Sequence, residues 1–213
     1  MAMTGFNPEL VNSTINRVSQ SYENLNNVLV DSMQNKIING LSDKWACNVA
    51  VEFFNNFTQV YNQFLNETDN TFDSIYNSIS SAGQAWANST ETSYVPPRFS
   101  TFHKKVNSSC IQENIGGVRG IDREQANSVA AILPVLASSA STICASLEAA
   151  VQNSGFLGDG QEESLVAKIK SISSNLNKIV EDVNTQFRSA VDNTVSAYGD
   201  LAGEVSRAFA GQE

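Results

Sequence analysis

Basic residues are scarce in this chain: 13 Lys and Arg stand against 22 Asp and Glu, a net charge of −9. A phosphate-binding footprint needs clustered Lys and Arg, so nucleic acid is not an expected partner. Neither is an anionic membrane surface. Histidine occurs once, as His103. One imidazole with no Ser, Cys or carboxylate constellation ordered around it makes no catalytic site, so no enzyme activity and no cofactor are expected. The three cysteines, Cys47, Cys110 and Cys144, are odd in number and far apart, which fits neither a disulfide framework nor a CxxC metal site. Buried free thiols are expected instead. No run approaches the roughly 20 apolar residues of a membrane crossing, so no membrane span is expected. The N-terminal "MAMTGFNPELVNST" lacks a basic region and an apolar core, so no cleaved secretory signal is expected. Proline is rare too, at four residues, while hydrophobic residues make up 41% of the chain at helical spacing, which argues against disorder.

What is present is periodicity. From Asn7 to about Ile38 the apolar stripe reads Val11, Ile15, Val18, Tyr22, Leu25, Leu29, Met33, Ile37. Its steps of three and four are those of one helix face. Asn7 before Pro8 is a start signal, and Asn39-Gly40 a stop. A second helix is expected from about Asp43 to Trp86, with the stripe Trp45, Val49, Phe53, Phe57, Val60, Phe64, Phe72, Ile75, Ile79 and a weak step at Thr68. A third is expected from Asp122 to about Gln152, through Val129, Ile132, Leu136, Ala140, Ile143, Leu147 and Val151. Asp122 with Gln125 resembles a capping box, and Pro134 should kink this helix. The fourth, from Gly160 to about Ala210, has the most regular stripe, from Leu165 through Phe187 to Phe209, with Asp159 and Glu162 as a capping pair.

No alternating strand pattern competes, so the expected fold class is all-α. Short turns imply antiparallel neighbours. The expectation is two helical hairpins, residues 1–88 and 122–213, packed as an elongated four-helix bundle and joined by a linker, 89–121. That linker is longer than most connections and is expected to carry the chain back along the bundle. In both hairpins the turn holds an aromatic with a small residue two places on: Trp45-Ala46-Cys47 and Phe156-Leu157-Gly158. The halves read as a diverged tandem repeat.

A helical hairpin with Trp-x-Gly in its turn resembles the WXG (ESAT-like) family, the small helical substrates of the type VII (ESX-like) secretion system of Gram-positive bacteria and mycobacteria. Cys47 stands where that family has Gly, and Phe156 where it has Trp. The resemblance implies two WXG units in one chain, so that the family's dimeric bundle forms within a molecule at high effective concentration. It also implies synthesis in the bacterial cytoplasm, then secretion to the medium or cell surface without a cleaved signal peptide. The implied partners are the type VII machinery and a co-secreted helical partner or effector, with the chain a monomeric bundle or weak homodimer. Many members carry a C-terminal Tyr-x-x-x-Asp/Glu export signal. Here Tyr198 is followed four places on by Ala202, with Asp200 and Glu204 at other spacings, so these three form at most a variant of it.

Two further readings stay open. One is a structural helical bundle, such as a surface or phage component, in which Trp45 is a packing anchor. The other is an enzyme, for which the sequence offers no positive sign, with the N-terminal targeting module of a toxin as a related option; within the secretion reading itself the chain is an export partner or a small secreted effector. "GDGQEES" lacks calcium-loop spacing, and "IGGVRG" follows no strand and so lacks phosphate-loop context.

Overall fold

The computed structural model describes residues 7–154, 156–157 and 159–210, the side chains of 159 and 201–210 excepted. Helices dominate, and the all-α class holds. The elements are α1 (Pro8–Asn26), a π-helix (Asn27–Ile38), α2 (Asn39–Leu41), β1 (Trp45–Ala46), α3 (Asn48–Ser89), β2 (Gly120–Ile121), α4 (Arg123–Ala130), α5 (Ile132–Gln152) and α6 (Asp159–Ala210).

The Asn7 side chain caps α1, accepting from the Glu9 amide at 2.9 Å, with Pro8 in the first turn as expected. All eight residues of the first stripe are buried. The expected single α-helix, however, widens into a π-helix over Asn27–Ile38. The cause is visible in the spacing. Leu25, Leu29, Met33 and Ile37 are three consecutive steps of four, and each such step overshoots a 3.6-residue turn by about 40°. A wider turn keeps them, with Val30 and Ile38, on the buried side. Gly40 does not stop the helix but lies within α2.

The second segment differs in two respects. Trp45 lies in a strand, not a helix, and α3 begins at Asn48. Along its first half Phe57 and Phe64 are buried as expected, but Ala50, Phe54 and Tyr61 are buried in place of their expected neighbours, with Val49 and Val60 38% and 55% exposed. Counting the helix from Trp45 set the wrong phase. The weak step at Thr68 does not interrupt α3; Thr68 is buried, and its hydroxyl is satisfied by the Phe64 carbonyl at 2.9 Å.

The third segment breaks where proline demands it. Pro134 has no N–H for the Ala130 carbonyl, and α4 ends there, with Ala131 between α4 and α5. Asp122 caps α4, accepting from the Gln125 amide at 3.0 Å. By length and composition the segment Arg123–Gln152 reaches what a membrane crossing needs, which a search for one unbroken apolar run misses. Leu133, Leu136, Ala140, Cys144, Leu147 and Val151 on it are buried within the protein, while Val129, Ile132 and Ile143 are half-buried and Val135 is 61% exposed.

Two compact units divide the chain, each built from three separated segments. Unit 1 comprises 1–30, 63–105 and 137–177; unit 2 comprises 31–62, 106–136 and 178–213. In unit 1 the core includes Ile15, Tyr22, Phe72, Ile75, Cys144, Leu147, Ile169 and Leu176; in unit 2 it includes Met33, Trp45, Phe54, Tyr61, Leu133 and Phe187.

Gly83 makes one close approach possible in unit 1. A Cβ there would sit 2.8 Å from Val11 Cγ1 and 3.0 Å from Tyr94 Cε1. Alanine gains about 1 kcal/mol over glycine in helix propensity, but overpacking costs about 1–3 kcal/mol. Gly83→Ala is therefore expected to lower the melting temperature despite improving the helix; a rise would show that Val11 and Tyr94 give way.

Candidate functional site

The first candidate is the junction around Trp45 in unit 2. Only two residues long, β1 pairs antiparallel with β2, Trp45 opposite Ile121 and Ala46 opposite Gly120. The Asp122 amide extends the pairing, donating to the Lys44 carbonyl at 2.7 Å. This pairing holds the Trp45 backbone extended and its indole inward. The ring is fully enclosed, with centroids 5.5 Å from Phe187, 5.8 Å from Phe53 and 6.1 Å from Phe54. Edge-on contacts of this kind add to the burial of area. Its Nε1–H has no hydrogen-bond partner. Ala46 and Cys47 are buried beside it, the Cys47 sulfur 3.9 Å from the Thr194 hydroxyl.

Its counterpart lies in unit 1. Phe156 is buried in the connection between α5 and α6, and Leu157 is half-buried; Gly158 lies outside the described residues. Trp86, which the sequence reading passed over, donates its indole N–H to the Phe156 carbonyl at 2.9 Å. Both aromatics of the suspected repeat thus sit in connections between helices rather than inside them. Their settings differ: one is a strand residue, the other follows a helix end.

Of the export-signal candidates, Tyr198 is half-buried and Asp200 exposed on α6. Residues two apart on a helix point to different sides. The Glu204 side chain lies outside the described residues.

The second candidate was not legible as a site. Residues 90–119 have no helix, yet they are tied down along their length. In unit 1 Tyr94 donates to Asn12 Oδ1 and Tyr76 to the Pro97 carbonyl, both at 2.9 Å. Phe99 packs edge-on to Tyr22. Tyr22 is central here. Its hydroxyl accepts from the Phe102 amide and donates to Asp69 Oδ1, each at 2.7 Å. Asp69 Oδ2 lies 3.2 Å from His103 Nδ1. Thr101 donates to Asp73 Oδ2 at 3.2 Å, and its hydroxyl lies 3.1 Å from His103 Nε2. His103 itself adopts a positive φ of 49°, a conformation uncommon outside glycine.

Burial raises the Asp69 carboxyl above its ordinary 3.8, opposed by the Tyr22 hydrogen bond and the nearby His103. Burial likewise pushes Tyr22 up to about 12. Together with Tyr22 and Thr101, this exposed His and buried carboxylate fasten the segment around Phe102 against α1 and α3. Cys110 is not part of this group: it is half-buried in unit 2, where its thiol donates to Asn39 Oδ1. Cys47 and Cys144 are buried free thiols.

In unit 2 the segment is held by paired amides. Asn62 exchanges two hydrogen bonds with the backbone of Val106, at 2.8 and 2.9 Å. Gln34 does the same with Asn107, at 2.8 and 3.1 Å. "IGGV" closes a tight hairpin turn in which Ile115 and Val118 bond to each other through both backbone pairs. Gly116 and Gly117 supply the two positive φ angles, 58° and 84°, that such a turn requires. Among the described residues no cluster of three or more His, Cys, Asp or Glu could hold a metal ion.

Comparison with protein-family models, curated proteins and solved structures finds no match.

Proposed function

We propose that the chain is a non-enzymatic helical interaction protein of a type VII (ESX-like) secretion system, acting as export substrate or partner. The observation that supports it best is the placing of Trp45-Ala46-Cys47 in a junction between helices, with Phe156-Leu157 in a second junction. In this reading the chain is two WXG-like hairpins forming a four-helix bundle, released to the cell surface or medium without a cleaved signal. It acts through helix–helix contact with the machinery or a co-secreted helical partner, and needs no cofactor. Trp45 is wholly buried, so it acts by shaping the junction rather than by being touched.

That burial also favours the second reading, a structural bundle in which Trp45 is a packing anchor with no role in export. A blot of culture supernatant from strains with and without the secretion ATPase separates the two. Export that depends on the ATPase is expected; protein retained in both strains overturns the proposal.

A further inference from the structure

The break between α4 and α5 opens a cavity of about 580 Å³ in unit 2, facing α6. Two guanidiniums line it, Arg123 from α4 and Arg188 from α6. Each has an amide on the same helix face one turn away: Asn127 beside Arg123, and Asn184 beside Arg188. Pro134 and small alanines at the break leave the cavity open. The one acid in its lining is Asp192, and its carboxylate is taken by Arg123 at 2.8 Å. The Arg188 guanidinium, one turn from Asp192, has no carboxylate within 4.0 Å among the described residues.

We propose that this cavity binds a carboxylate of an acidic peptide segment, held by Arg188 and by the amides of Asn127 and Asn184. Two guanidiniums against one carboxylate leave one positive charge, which a single carboxylate neutralises. A guanidinium grips such a group through charge-assisted hydrogen bonds, and Asp192, held by one such bond from Arg123 at 2.8 Å, already shows a carboxylate seated in the same lining. In a chain of net charge −9, a cavity whose lining is net positive selects for acid by contrast with its surroundings. The site shares no residue with the Trp45 junction or the Tyr22 network. Because it is read on purified protein, it can fail independently of the secretion reading.

The test is a titration of the full chain with capped diglutamate and, separately, with inorganic phosphate, followed by amide chemical shifts. Saturable shifts centred on Asn127, Asn184 and Arg188 are expected with the diglutamate. Binding should weaken about tenfold in R188Q, the weight of one charge-assisted contact. It should tighten in D192N, which frees Arg123 from its internal partner. Arg188 is exposed, so R188Q is expected to melt at the wild-type temperature. No saturable shift, undiminished binding in R188Q, or tighter binding of phosphate than of diglutamate overturns the proposal.

Discussion

Trp45→Ala is expected to destabilise unit 2 by about 3–5 kcal/mol, the usual range for deleting a buried aromatic. A domain's whole stability is about 5–15 kcal/mol, so the variant should be marginal at 37 °C. The loss has two sources. The indole fills the space between Phe53, Phe54 and Phe187, and alanine leaves a cavity there. It also anchors β1 against β2, so amide protection at Ile121 and Asp122 should fall with it. Trp45→Phe should cost much less. It retains a ring, and it removes an indole N–H that is buried without a partner, a group that itself costs about 1–3 kcal/mol. Urea titration of the two variants checks this. Equal losses in both would mean that the full volume of the indole, and not merely a ring at this position, holds the junction.

Tyr22→Phe is expected to release the segment around Phe102 and to cost about 1–3 kcal/mol, since it strands one buried and one part-buried group at once. The Phe102 amide loses its acceptor, and Asp69 loses its shortest donor. The loss should depend on pH, with a definite sign. The Tyr22 hydrogen bond works to lower the Asp69 pKa, so the variant leaves that carboxyl higher still. A carboxyl raised in the folded state contributes stability that is full below the ordinary value and is lost as pH rises through the raised one. The gap between wild type and Tyr22→Phe should therefore widen as pH rises above about 4. Hydrogen exchange at Phe102, with urea melts across that range, reads both effects. A gap that narrows with pH would overturn this account of Asp69.

The helices were legible because burial writes a period into the sequence. The stripe from Val11 to Ile37 is buried throughout, and even its π-helix was foreshadowed by three successive steps of four. The helix break was legible at Pro134 for the same reason that proline is diagnostic anywhere. The strand at Trp45 was not, since two residues are too few to show alternation and the residue paired with Trp45, Ile121, is 76 residues away. That one omission shifted the phase of α3 and exchanged Val49 and Val60 for Ala50 and Tyr61. The Tyr22–Asp69–His103 group was invisible for a different reason. Asp69 sits where the α3 stripe weakens, and its partners come from 47 and 34 residues away, so no local pattern carries it. Arg123 and Arg188 carry no local pattern either, standing far apart in the chain, and only the folded helices bring them to one cavity.

The paired amides of Asn62 and Gln34 expose the protein to a slow chemical clock. Each side chain both gives and takes a hydrogen bond with the backbone it grips. Deamidation would preserve the shape of either side chain but convert the amide to a carboxylate, which can only accept. The carbonyl of Val106 or Asn107 would then face a negative charge instead of an N–H. Ageing at one atom would thus turn a clasp into a repulsion, with no change in sequence length, fold class or hydrophobic pattern.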